Sequence, residues 1–254
     1  MARFFITGSS DGLGSMAAQA LIKKGHEVVL HARNAQRAKD ASAACPGAEG
    51  VLVADLSSLT ETKKLAEEVN NIGPFDCIIH NAGLYRGGIR RNDQNIPALT
   101  AVNTLAPYIL TALIEKPKRL VYVSSGMHYS GVDDLSDLDW QKRNDRDWSD
   151  GSAYSNSKFH NVLVAKAVAK RWPDVQSNAL DPGWIPTKMG GSSAPGNSET
   201  SMKTYLLLST ETKETGKYFA SSKLKDPKEG TDNEASQNKY MELCEKITGV
   251  PFPQ

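Results

Sequence analysis

The sequence predicts an α/β fold, a doubly wound parallel β-sheet flanked by helices on both faces, and three observations carry that expectation. Apolar runs of strand length alternate with segments of helical period along most of the chain. A glycine-rich turn joins the first strand to the first helix, the mark of a Rossmann-type sheet. No Pro/Gly/Ser-rich break divides the 254 residues; length alone would allow one domain or two small ones, and motif spacing favours a single domain over 1–254.

The first apolar run, Arg3 to Thr7, is cut off by Gly8-Ser9-Ser10-Asp11-Gly12-Leu13-Gly14 and followed by a helical segment from Met16 to Ile22. Gly25 closes that helix and Glu27 to His31 reads as a second strand, so a β-α-β unit with parallel strands is complete. The pattern repeats with a helix from Gln36 to Ala44, a strand from Val51 to Ala54, a helix from Lys63 to Val69 and a strand from Phe75 to His80. A mostly apolar helix, Ala98 to Glu115, precedes a Val-rich strand of the fully buried kind, Arg119 to Ser124.

Residues 126–150 change character, rich in Asp and without clear periodicity, and read as a substrate loop that packs Trp140 and Trp148 beside the site. Gly151 to Trp172 has the spacing of a substantially buried helix, and Val175 to Leu180 that of a strand ending at Asp181-Pro182-Gly183. The stretch from Gly190 to Thr200 is made of Gly, Ser, Pro and Asn, so a mobile lid is expected over 190–208, with Leu206 to Leu208 in a short helix. Tyr218-Phe219 is expected as the last edge strand and Asn233 to Thr248 as a terminal helix.

Lys and Arg number 30 against 29 Asp and Glu, a formal charge of +1, so neither nucleic acid nor an anionic membrane is indicated and a small-molecule partner fits better. Cys45, Cys77 and Cys244 are far apart, with no metal-binding or disulfide pattern, and suggest a reducing compartment. The chain opens directly into a strand, and no apolar run approaches membrane-spanning length, so a soluble cytoplasmic protein is expected. His26, His31, His128 and His160 lack the spacing of a metal site and read as structural or solvated; no metal is expected. His128 and Tyr129, just past Ser125, are placed either along a substrate pocket or at the surface.

Chemistry centres on Tyr154-Ser155-Asn156-Ser157-Lys158, where a separation of four puts phenol and ammonium on one helix face. A packed Tyr and a snorkelling Lys is the plain alternative for the pair alone. The loop Thr7-Gly8-x-x-x-Gly12-x-Gly14 lies where an α/β sheet presents helix amides to a phosphate, although such turns also serve packing.

These glycines, His80-Asn81-Ala82-Gly83, Val102-Asn103, Val123-Ser124-Ser125, Tyr154-x-x-x-Lys158 and Pro182-Gly183 with Thr187 stand in the order and approximate spacing of the short-chain dehydrogenases/reductases, and the chain resembles that family. His80 departs from the family's first Asn. Val102 to Pro107, the longer Ser125–Tyr154 connection and the ending Glu245 to Val250 resemble its retinol-dehydrogenase-like and WW-domain-oxidoreductase-like branch, which implies bulky apolar carbonyls or alcohols. The resemblance implies Asn103, Ser125, Tyr154 and Lys158 as catalytic residues, with Tyr154 exchanging the proton, Ser125 bonding the substrate oxygen and Asn103 holding a water behind Lys158. A neighbouring ammonium and a cationic nicotinamide are together expected to lower the phenol's pKa. Gly8, Ser10, Gly12, Leu13, Gly14, Asn81, Ala82, Gly83, Pro182, Gly183 and Thr187, with Tyr154 and Lys158, are the implied cofactor contacts. Asp55-Leu56 resembles the adenine-binding pair, or else Asp55 or Ser57 caps the next helix.

After the second strand, His31-Ala32-Arg33-Asn34 carries no carboxylate to accept ribose hydroxyls, and the fork of Arg33 suits a 2′-phosphate, so NADP(H) is expected; a solvated Arg is the alternative. An NADP(H)-dependent oxidoreductase acting on an aldehyde, ketone or secondary alcohol is the expected function, with a catalytically silent dinucleotide-sensing regulatory protein of the same fold as the alternative. Family resemblance further implies a homodimer through the helices 98–115 and 154–172.

Overall fold

A computed structural model describes residues 1–132 and 134–253; Asp133, within the expected substrate loop, and Gln254 lie outside the described residues. The chain alternates β1 (Arg3–Ile6), α1 (Gly12–Lys23), β2 (Glu27–Ala32), α2 (Ala35–Ala44), β3 (Gly50–Val53), α3 (Leu59–Ile72) and β4 (Cys77–His80). The next helix is α4 (Ala98–Thr100) running through a π-turn, Ala101–Leu105, into α5 (Ala106–Leu113). Then come β5 (Arg119–Val123), α6 (Asp150–Arg171), β6 (Gln176–Asp181), α7 (Ser198–Leu206), β7 (Tyr218–Ala220), β8 (Lys223–Lys225) and α8 (Glu234–Thr248).

The strands form one sheet in the order β3-β2-β1-β4-β5-β6-β7-β8, parallel throughout except for β8. Alternate side chains explain why the strands read as continuous apolar runs: Phe5, Val29, Ile78, Leu120 and Ala179 enter the core on one face, and Phe4, Ile6, Val28, Ile79 and Val121 the core on the other. The chain leaves β1 toward β2 on one side and returns to β4 on the other. A crevice therefore opens beyond the carboxyl ends of β1 and β4, the place where sheets of this order hold ligands.

Three expectations are corrected. Tyr218-Phe219 is not the edge, because Ser221 and Ser222, both with positive φ, turn the chain into β8. Both central residues of a two-residue hairpin take that conformation, which Asn-Gly signals and Ser-Ser does not. The expected lid over 190–208 is not a free strap: α7 occupies its second half, with Tyr205 and Leu208 in the core beside Ala17 and Leu21 of α1. The helices 98–115 and 154–172 present no open face for a partner. Tyr240, Met241, Cys244 and Val250 of the terminal segment cover them, with Tyr108 Oη donating to Val250 O at 2.9 Å and Tyr240 Oη to Thr104 O at 3.1 Å.

Candidate active site

At the β1–α1 turn the backbone itself is the structure. Gly8 and Gly12 have φ of 62° and 53°, and a Cβ on Gly14 would stand 2.5 Å from Gly8 O, so no side chain fits there. Asp11 precedes α1 without a side-chain cap bond, which leaves the first-turn N–H groups facing the crevice. Asn81 fastens the turn to β4: its Nδ2 donates to Thr7 O at 3.0 Å and Gly8 O at 2.9 Å, while Tyr205 Oη donates to its Oδ1 at 2.9 Å. Thr7 Oγ1 accepts in turn from the amides of Asn81 and Ala82. His80, the departure from the family pattern, is buried against Tyr122 and bonded to Thr111 at 3.0 Å, away from the crevice.

A cavity of about 1140 Å³ runs along this crevice. It is bordered by Gly8, Ser10, Gly12, Leu13, Gly14, Arg33, Asp55, Leu56, Asn81, Ala82 and Gly83, and further along by Ser125, Tyr154, Lys158, Pro182, Gly183 and Thr187. Asn103 alone among the predicted residues stays behind the wall. The π-turn aims its side chain at Leu84, from whose N–H it accepts at 2.7 Å and to whose C=O it donates at 2.8 Å, and it also donates to Ser157 Oγ at 3.0 Å. Asp55 accepts from Ser57, and Ser58 rather than Asp55 or Ser57 caps α3.

Tyr154 and Lys158 lie on the buried face of α6, and the Ser125 hydroxyl is near enough to the phenol to favour its ionised form. Lys158 Nζ donates to Val123 O at 2.8 Å and lies 5.3 Å from the Tyr154 ring centre. Without the dinucleotide, burial, assisted by Asp181 and Tyr85, pushes Tyr154 up to about 12 against the nearby Ser125 hydroxyl, and burial pushes Lys158 down to about 8 against Asp181. With its ammonium turned to a carbonyl, Lys158 does not offset the desolvation of the phenol.

The roof is formed by residues 182–190, upstream of the expected lid. Trp184, Ile185, Thr187, Lys188 and Met189 border the cavity, and Lys188 Nζ approaches Asp11 Oδ2 at 3.6 Å. Asp11 also pairs with Arg37, a second guanidinium on the cavity that its position four residues after Arg33 could have flagged. Tyr85, Arg86 and Arg90 border the cavity too, on an irregular segment where no spacing announces them, as does Asp181 at the end of β6. Trp148 packs beside the site, on the cluster of Leu99 and Tyr154, without reaching the cavity, and Trp140 is one layer further out, against Trp148 and Arg143. His128 is buried, bonded to Ser125 O at 2.8 Å and Lys228 N at 3.0 Å, and Tyr129 is exposed; neither borders the cavity. Burial holds His31, which accepts from the Gly8 amide at 2.9 Å, down to about 4.

The crevice has a glycine turn at one end and a buried Tyr-Lys pair at the other, the layout of the oxidoreductases built on this sheet. A model of the short chain dehydrogenase family matches residues 3–126. The chain is 46% identical over 257 residues to the short-chain dehydrogenase chyC of Penicillium rubens, covering all of both chains. It is 28% identical over 287 residues to human retinol dehydrogenase 13, covering 98% of this chain and 85% of that protein. A protein of Mycobacterium paratuberculosis has the same fold, with a TM-score of 0.85 at 22% identity over 100% of this chain and 96% of that one. The chain belongs to the short-chain dehydrogenase/reductase family of oxidoreductases. Among the described residues no cluster of metal ligands occurs and no helix is long and apolar enough to cross a membrane.

Proposed function

We propose that this chain is an NADP(H)-dependent oxidoreductase that interconverts an apolar aldehyde or ketone with the corresponding alcohol. The observation that carries the reading is the meeting of Ser125, Tyr154 and Lys158 on one cavity wall, with the Ser125 hydroxyl near enough to the phenol to favour its ionised form. A bound nicotinamide supplies or accepts the hydride. Tyr154, kept neutral by burial, gives its proton to the carbonyl oxygen in reduction, and in oxidation its phenolate form takes the proton of the alcohol. Ser125 Oγ accepts from the Met127 amide at 3.2 Å, so its own proton is free to hold the substrate oxygen and stabilise charge developing there. Lys158, nearly enclosed and close to neutrality in its titration, orients the ribose and restores the Tyr154 proton. Asn103 has both side-chain donors engaged, which leaves the second lone pair of Oδ1, beside Gly83, to hold a water on that route.

The dinucleotide fits the residues present: uncapped α1 amides and a side-chain-free turn for the pyrophosphate, and Arg33 and Arg37 for a 2′-phosphate. Arg33 has no ion-pair partner among the described residues, and no carboxylate ends β2. Buried free Cys45, Cys77 and Cys244 support a reducing, cytoplasmic setting.

Two measurements test this. In Tyr154→Phe, carbonyl reduction is expected to fall about 10²–10⁴-fold with NADPH binding retained; unchanged turnover would refute the proton role. In Arg33→Ala, kcat/KM for NADPH is expected to fall about tenfold or more, the weight of a charge-assisted bond. Equal use of NADH and NADPH by the parent enzyme would overturn the cofactor assignment.

A further inference from the structure

The hydride chemistry leaves one wall of the cavity unused, the loop that follows Gly83. Tyr85 packs its ring on Tyr154, centroids 4.6 Å apart, and the Arg86 guanidinium lies over Tyr85 at 5.1 Å. Gly87 and Gly88, with φ of 130° and 67°, turn the loop so that their amides donate to Asp150 Oδ2 at 3.1 and 3.3 Å. Trp148 Nε1 donates to Asp150 Oδ1 at 2.7 Å, and this bond leads the causes that hold the carboxyl below its usual range. Three N–H groups therefore occupy Asp150; the Arg86 charge adds to its lowering but stays beyond ion-pair distance.

Arg90 folds back to the same place, its Nη2 3.2 Å from where a Cβ on Gly87 would stand. Arg91 is different: Asp145, Asn95 O and Trp140 O take its guanidinium. Arg86 and Arg90 both border the cavity and, among the described residues, neither has a carboxylate within ion-pair distance. Two like charges gathered on a fixed loop repel each other, and an anion set between them relieves that repulsion. They stand at the Tyr85–Tyr154 end, whereas α1 and Arg33 meet phosphates at the other. The exposed rings and chains of Trp184 and Met189 in the roof supply apolar surface.

We propose that the substrate is an apolar carbonyl compound carrying a carboxylate at its far end, with the carboxylate held by Arg86 and Arg90 and the apolar body against Tyr85. The planar fork of a guanidinium matches a carboxylate in shape and charge. This assignment rests on the carbonyl-reducing reading of the site. In the reaction one hydride from NADPH and the Tyr154 proton convert C=O to CH–OH, and the carboxylate is unchanged.

The test uses para-formylbenzoate and its methyl ester, which share ring and aldehyde and differ in charge. The parent enzyme is expected to favour the acid by about tenfold or more in kcat/KM, and Arg86→Gln/Arg90→Gln to lower the acid's kcat/KM until the ratio is near one. A parent ratio at or below one, or a preference that survives in the double variant, overturns the proposal. So does a rise in KM for NADPH that affects both aldehydes equally, which would give the arginines to the cofactor. Calorimetric titration of benzoate and methyl benzoate into the NADPH-loaded Tyr154→Phe variant separates this proposal from the reading beneath it. Salt-sensitive benzoate binding that disappears with the two arginines supports the anion site even where no aldehyde is reduced. Benzoate that fails to bind while aldehydes turn over overturns the anion site alone.

Discussion

The glycine-turn end of the cavity and the arginine-loop end are built of different material. At the first, the backbone makes the surface: Gly8 and Gly14 leave no room for side chains, Gly12 holds a positive φ, and Asn81 ties β1 to β4 through main-chain carbonyls. At the second, long side chains on an exposed loop make the surface, and one carboxylate, Asp150, holds that loop in place. Rigidity at the first end suits a ligand common to many enzymes, and adjustable side chains at the second suit a substrate particular to one. Substitutions at the two ends should therefore fail in different ways, by loss of fold at one and by loss of selectivity at the other.

The largest effect is expected at Gly14. Alanine there places a Cβ 2.5 Å from Gly8 O and 2.9 Å from Ser9 Cα, backbone atoms that cannot step aside. Gly14→Ala should cost about 3 kcal/mol or more and abolish dinucleotide binding, read by thermal melting with and without NADPH. Asn81→Ala removes three hydrogen bonds and leaves the Tyr205 hydroxyl unpaired in a buried place. A loss of about 2–3 kcal/mol in urea unfolding is expected.

Acid should act on the fold ahead of the loop. Burial lowers His31 to about 4 and His80 and His160 to about 3, below the unfolded value near 6.5. The unfolded chain then binds more protons, so stability is complete above about pH 6.5 and declines as pH falls toward 3, by about 1.4 kcal/mol per histidine for each full unit. A series of urea melts across that range measures it; a flat profile would show that these rings are protonated in the folded protein. The smallest effect belongs to Asp150→Asn, which keeps the shape, removes the charge and leaves one acceptor oxygen for either the glycine amides or Trp148 Nε1. A change in melting temperature of only a few degrees is expected, with KM for a carbonyl substrate raised about two- to fivefold and KM for NADPH unchanged. A large stability loss there would erase the distinction between the two ends.

The same contrast governs what could be read before the fold was known. Gly8, Gly12, Gly14 and Asn81 were legible because backbone geometry admits few residues at those places, and Tyr154 and Lys158 because helical spacing fixes their common face. The parallel strands were legible because burial on both faces leaves continuous apolar runs. Long-range packing was not. The covering of the helices by the terminal segment, the place of Tyr205 under the glycine turn, and Arg86 and Arg90 at the cavity follow from contacts between segments far apart or on irregular loops. The desolvation of Tyr154 was not legible for a related reason: proximity of Lys158 is a local fact, whereas burial and the orientation of its Nζ toward Val123 depend on the whole site.

The π-turn at Ala101–Leu105 makes the residue count between Pro97 and Pro107 part of the active site. It holds one residue more than an α-helix would use for the same ladder, and each residue turns a helix by about 100°. Removing one residue there would restore regular geometry and swing Asn103 out of register with Leu84 and Ser157. Chain length in this short span is thus under the same constraint as side-chain identity, and a deletion that looks conservative in composition would disconnect Asn103 from the site.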